Sequence, residues 1–431
     1  MRPIYFLGIL IILSGCTQKQ EPKQDSIFEH NILLAESVGK YTEMELSSIV
    51  SKLEYIPLET RKSSLMVVDY VKNLIVTNDL IFIGGVDYLY AFSRDGKFLN
   101  KIGDIGNGPG EYRSVWKATI NKVKQTIFAH SGNSNNMFEY TWDGKYLGAI
   151  SIPDIDDDHL IGDCCFIGDN MFIGRISNKG NADYNFVLFD DRGEIIKLFS
   201  TSIFFPISNT GKYNSYGSDF NIYQLNDRWY LKEGLNDTLF YLNLERTELL
   251  PSALFNSGKY RLLDKISKDE STAIGDAIIF RNMVGSSDFL FFTMFCDGVN
   301  LPENRRVREV TLLGSSFFQL DNSKPFLHRD PFIYGVYDMK NKKTTLLEND
   351  PCGISGFIND LDGGLPFWPM FLTDDNKLVS ILSAEDLKEI LTEEYFATHE
   401  IKDKQAHQKL RDLLKNLKED DNPVVVIATL K

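Results

Sequence analysis

The chain has 431 residues, 43% hydrophobic and 25% charged, with a formal net charge of −14 at pH 7. This composition excludes disorder over most of the length and supplies enough apolar material for a large core. Thirty Phe and nineteen Tyr favour strands, and the lack of any Lys/Arg cluster excludes nucleic acid as a partner.

At the N-terminus Arg2 precedes an apolar run from Ile4 to Leu13. It is about half of the roughly 20 residues a spanning helix needs, so it reads as a signal-peptide core. The run ends in Leu13-Ser14-Gly15-Cys16, which resembles a bacterial lipobox. That resemblance implies cleavage before Cys16, lipidation of Cys16 and a membrane anchor, since two or more acyl chains hold a protein stably. The alternative is an ordinary secretory signal with a chance cysteine. Thr17 stands where Asp would favour retention at the inner membrane, so the outer membrane is expected. The polar "TQKQEPKQDS" that follows has too little apolar surface to fold. The reading is therefore a signal peptide over 1–16, a flexible tether and lead-in over 17–50, and a folded body over 51–431. Acidity of the body favours basic partners and cations, although solubility alone also explains it.

Within the body, "YLYAFSRDGKFLNKIG" (88–103), "NMFEYTWDGKYLGAIS" (136–151) and "NFVLFDDRGEIIKLFS" (185–200) each read as strand, tight turn, strand. Their turn glycines Gly96, Gly144 and Gly193 lie 48 and 49 residues apart. Such turns need φ > 0, where glycine is unstrained. A further strand pair precedes each, around Thr77-Asn78-Asp79, Lys122-Val123-Lys124 and Gly168-Asp169-Asn170. Four-stranded antiparallel units at this period predict an all-β fold of propeller blades. Blade four falls at 220–243, blade five at 278–295 with 331–347, and blade six begins at 366–382. Blade six is completed by "NPVVVIATL" (422–430) and the N-terminal "KLEYIPLE" (52–59), which closes the ring and removes its open edge. The glycine-rich "GDIGNGPGEY" (103–112) then serves as a sharp crossing between blades one and two. A phosphate loop would need a helix behind it, and "VWKATI" reads as a strand.

The stretches "LEYIPLE", "YAFSRDGKFLNKIGDIGNGPGEY", "LNDTLFYLN", "NDLDGGLPFWP" and "DNPVVVIATLK" together resemble the six-bladed β-propeller lipoproteins abundant in Bacteroidetes, relatives of the NHL-type propellers. The resemblance implies the fold and an envelope location, and it implies no reaction and no catalytic residues. It departs at blade five, where residues 296–330 interrupt the strand pattern. Helical spacing of Leu387, Ile390, Leu391 and Phe396 after a Ser383 cap, and of Leu410, Leu413, Leu414 and Leu417, predicts a helical insertion over about 383–420. Those apolar stripes are expected to pack on the propeller.

The loops that lead from each outer strand to the next inner strand share one face, here called the upper face. They carry Asp104 and Glu111; Asp154, Asp156, Asp157 and Asp158; Asp276; and Asp360 with Asp362, while Asp163 starts an inner strand. Carboxylates sharing a mouth attract cations, so an acidic rim holding Ca²⁺ or a cationic ligand is one expectation. The other is solvated turn aspartates that bond their own backbone. "DIDDDHLIGDCC" (154–165) puts Asp154, Asp156 and Asp158 at alternate positions as calcium ligands, but His159 and Cys165 stand where an EF-hand needs Gly and Glu. Trp368, in "NDLDGGLPFWP", could offer its ring to a sugar or peptide, or pack between blades. Of the cysteines other than Cys16, neighbouring Cys164 and Cys165 point to opposite faces of a strand, and either could pair with Cys296 or Cys352 or stay a buried thiol. The only acid–base pair suggested is His159 with Asp163. No standard hydrolase or nucleotide-binding motif occurs. The functional expectation is an envelope binding or scaffold module for a protein, peptide or glycan. The alternative is an envelope hydrolase or lyase using upper-face carboxylates, with metal assistance.

Overall fold

Alternating apolar runs separated by tight turns pair with their sequence neighbours, because each hairpin turn brings the next strand alongside. Blade one is Asn73–Val76, Leu80–Gly84, Leu89–Ser93 and Phe98–Lys101, antiparallel in that order from the axis outward. Blade two runs Val115–Asn121, Thr126–Ser131, Asn136–Thr141 and Tyr146–Ser151. Blade three is Ile161–Gly168, Met171–Ile176, Tyr184–Asp190 and Ile195–Ser200. Blade four is Phe220–Leu225, Arg228–Glu233, Thr238–Asn243 and Glu248–Phe255, and blade five Ile278–Gly285, Phe289–Cys296, Ile333–Asp338 and Lys343–Leu347. Blade six takes Phe371–Leu372 and Leu378–Leu382, then Val424–Leu430, and outermost Val50–Pro57. The computed structural model describes residues 28–66, 71–132, 135–206, 220–266, 277–296, 307–312, 315–320, 332–348, 354–373 and 375–431. The chain is a six-bladed β-propeller.

Closure follows the sequence reading. Val50–Pro57 pairs with Val424–Leu430 from Val50↔Leu430 to Pro57↔Val424, so both ends of the body share one sheet. Gly96, Gly144 and Gly193 have φ of +85°, +88° and +79°. Each also sits against the end of the preceding blade's outer strand: an added Cβ would lie 2.2 Å from Pro57 O, 2.6 Å from Lys101 O and 2.4 Å from Ser151 O respectively. The repeated glycine thus serves the hairpin and the spacing between blades. Between the sheets, aromatic and aliphatic side chains interlock. Phe128 and Met137 of blade two meet Phe172, Val187 and Phe189 of blade three, and each such buried side chain contributes about 1.5–3 kcal/mol.

Two regions add to the sequence reading. Residues 28–50, assigned to a lead-in, are built onto the propeller. His30–Ile32 adds in parallel to the outer strand of blade four, Tyr41–Thr42 adds in parallel to that of blade five, and Ile32 and Leu34 are fully buried. The physical reason is the apolar "ILL" run, which covers an outer strand edge. In blade five the interruption forms a separate hairpin, Val307–Leu312 with Ser315–Leu320, and the second and third strands pair directly.

Among the described residues there are five α-helices: α1 (Leu34–Ser37), α2 (Leu262–Ile266), α3 (Ala384–Ile390), α4 (Glu393–Thr398) and α5 (Lys404–Asn416). The last three lie between the second and third strands of blade six. Ser383 accepts the Asp386 N–H at 2.9 Å, and Asp403 accepts from Gln405 and Ala406 at 2.9 Å each, satisfying first-turn donors. Leu387, Leu391, Phe396, Leu410 and Leu417 are buried in one cluster with Leu378 and Val424 of the blade beneath. The signal peptide, Cys16 and the start of the tether lie outside the described residues, as do Asp276 and Cys352.

Candidate functional site

The helical insertion roofs one part of the upper face, and the residues beneath it are buried. Asp360 is 2% exposed. It accepts from Ser47 N–H at 2.8 Å and Ser47 Oγ at 2.5 Å, and pairs with Lys402 at 2.5 Å. Burial raises its pKa, but the Lys402 and Ser47 hydrogen bonds outweigh this and hold the carboxyl below its usual range. Asp362 accepts from Asn359 Nδ2 at 2.8 Å, Gly364 N–H at 2.9 Å and Tyr55 OH at 3.2 Å. Here burial wins and pushes the pKa up. Trp368 donates to Thr293 Oγ1 at 3.0 Å and meets Tyr334 edge-on at 4.7 Å between centroids. These three residues share a structural neighbourhood and present no open surface.

The remaining predicted acids are scattered, and most are bound internally. Asp104 pairs with Lys101 at 2.6 Å. Glu111 accepts the Gly108 N–H at 2.8 Å, closing the glycine-rich crossing on itself. Asp154 bonds Asn135 Nδ2. Asp156 accepts the Asp158 and His159 N–H groups and the His159 ring at 2.8 Å, and the His159 hydrogen bond lowers its pKa. Asp163 pairs with Arg175 at 3.2 Å, so His159 meets Asp156 and Asn181 rather than Asp163. Asp157 and Asp158 are exposed. Among the described residues no three His, Cys, Asp or Glu side chains gather as a metal ion would require. Cys164 and Cys165 are buried thiols.

Beside the exposed Asp104, Asp154, Asp156, Asp157 and Asp158, the upper face exposes apolar side chains. Val86 (39%), Ile105 (44%), Trp116 (40%), Leu160 (62%) and Phe204 (53%) stand on upper-face connections or beside them, from blade one to the crossing into blade four. Val115 N–H donates to Val86 O at 2.8 Å, which sets Val86 beside Trp116. Behind Trp116 lies His130, 2% exposed, with ring centroids 5.9 Å apart. Burial holds its imidazole down at about 4, opposed by the nearby Asp163 charge. A central cavity of about 800 Å³ is bounded by the inner strands of all six blades and reaches the lower-face turns at Val123, Asp227 and Asn376. Its charged lining is Lys72, Lys117, Lys122, Arg281 and Asp227. Sequence reasoning missed His130, Arg175 and the channel cations. A signal was present in "VWKATI", where Lys117 and Thr119 alternate with apolar residues on an inner strand.

Comparison with known proteins agrees with this architecture. A crystal structure of a Bacteroides fragilis protein, described provisionally as exported, aligns over 93% of this chain and 99% of its own. Identity is 18% and the TM-score 0.64, which shows a shared fold. A DUF4221-family protein from Bacteroides vulgatus aligns over 91% and 99% of the two chains at 11% identity, with a TM-score of 0.46. No functionally curated protein matches. The model of the DUF4934 family, a domain of unknown function, matches residues 29–429, and this six-bladed propeller belongs to that family.

Proposed function

We propose that the chain is an exported cell-envelope lipoprotein, anchored through Cys16 at the outer membrane, whose propeller is a non-enzymatic binding or scaffold module. Its ligand is a protein, peptide or glycan, taken by the unroofed part of the upper face. One observation carries this reading: on that face the described carboxylates are scattered, with no metal-like cluster among the described residues, whereas Trp116, Leu160 and Phe204 are exposed. A binder spreads apolar and aromatic contacts over a wide face, whereas hydrolysis by carboxylates needs acids converging within a few ångströms. The lipobox-like Leu13–Cys16 and the provisional description of the B. fragilis neighbour as exported support the location. Among the described residues no helix is long and apolar enough to cross a membrane, so the anchor would be lipid.

The test is capture from solubilised envelope with the purified protein as bait. A Trp116→Ser/Leu160→Ser/Phe204→Ser variant should lose the captured ligand, and Val123→Ser, on the opposite face, should keep it. Equal capture by all three baits would remove the upper face from the reading.

A further inference from the structure

The central channel differs in charge from the rest of the molecule. The chain carries −14 overall, yet four of the five charged side chains lining the cavity are cationic. Three of them come to one height. Asn73 Oδ1 accepts the Ala118 N–H at 2.8 Å, which sets Lys72 beside Lys117 on adjacent inner strands. Val76 bridges Thr373 in parallel, placing Asn73 level with Met370. Asn282 Nδ2 donates to Met370 O at 3.1 Å, so Arg281 stands level with Lys72. All three positions lie at the upper end of the central cavity, whose other end reaches the lower turns at Val123, Asp227 and Asn376.

Neither Lys72 nor Lys117 forms an ion pair with a described residue, and Arg281 lies 5.9 Å over the Phe332 ring. The nearby acid Asp163 is paired with Arg175. Below this level Leu74, Phe166 and Phe371 supply an apolar wall. Low-dielectric walls focus the field of the cations on that end of the cavity, and the cavity volume is that of a small-molecule site.

We propose that the upper end of the central cavity binds the anionic head of an amphipathic small molecule, a carboxylate or sulfate, through Lys72 and Lys117, with its apolar body in the cavity below. The site is separate from the apolar rim and does not depend on what the rim binds.

The probe is anilinonaphthalene sulfonate, titrated by fluorescence into the purified full-length protein, with neutral phenylnaphthylamine as the uncharged counterpart. The sulfonate should fill one saturable site that weakens with added salt. Lys72→Gln/Lys117→Gln should weaken it by about tenfold or more, because charge-assisted contacts to the head are lost. The neutral amine should change by less than about twofold. Lys72→Arg/Lys117→Arg, which keeps both charges, should retain sulfonate binding, and this separates charge from any effect of the substitutions on folding. Three results would overturn the site: unchanged sulfonate affinity in a folded Gln variant, equal weakening of both probes, or loss of sulfonate binding in the Leu160→Ser/Phe204→Ser rim variant.

Discussion

Two tryptophans show how differently the two halves of the upper face are built. Trp368, packed against blade five, is 6% exposed, stacks on Phe357 and donates to Thr293. Trp116, on the unroofed half, is 40% exposed and covers His130 with one edge. Both lie where a chain enters an inner strand, and both suit ligand contact by residue type. The difference is what folds over each: blade five and Phe357 enclose Trp368, and the helical insertion covers the neighbouring Asp360 and Asp362, whereas nothing described covers Val86, Trp116 and Leu160. A residue type at the mouth of a propeller therefore marks a site only where no insertion folds back over it.

Substitutions can break that contrast, beginning on the roofed side. Trp368→Ala should destabilise the protein most, by about 4 kcal/mol in denaturant unfolding, because it opens a cavity and orphans Thr293. A loss below about 1 kcal/mol would mean that this ring is not part of the core. Asp362→Ala should follow at about 2–3 kcal/mol, since Tyr55, Asn359 and the Gly364 N–H lose their shared acceptor in a buried setting.

On the open side the largest effect is one of pH. His130 takes its proton near 6.5 when unfolded and at about 4 when folded. Between those values the unfolded chain binds more protons, so stability is level above pH 6.5 and falls as pH drops towards 4. From pH 7 to 5 the loss should be about 2 kcal/mol, and His130→Phe should flatten that part of the profile. Thermal melts across this range check it, and an unchanged slope in the variant would assign the loss elsewhere. Trp116→Ser should be the mildest, within about 0.5 kcal/mol of wild type in stability, because a half-exposed side chain leaves little core behind.

The blades were legible because their signals are local. Asp-Gly and related turns, period-two alternation and the spacing of Gly96, Gly144 and Gly193 act within a few residues of one another. The Ser383 cap and the leucine stripes made the helices legible for the same reason. The site was far less so. Asp360 and Asp362 read as loop acids, and only the folding of α3 to α5 over the 354–370 crossing buries them. Lys72, Lys117 and Arg281 sit on three different blades, and a lone cation in a strand reads as solvated. Their common height arises from side chain to backbone bonds between blades, for which the sequence has no period. The seating of residues 28–50 was not legible because it depends on the outer edges of blades four and five, far along the chain.

The most direct test of the central claim, that the unroofed half of the upper face is the ligand surface, is site-specific photo-crosslinking in cells. A photoreactive side chain would be placed in turn at Leu160, Phe204, Lys402 and Val123. The account predicts discrete covalent adducts from positions 160 and 204 and none from 402, beside the roof, or from 123, on the opposite face. Adducts from 402 or 123 with none from 160 and 204 would contradict it.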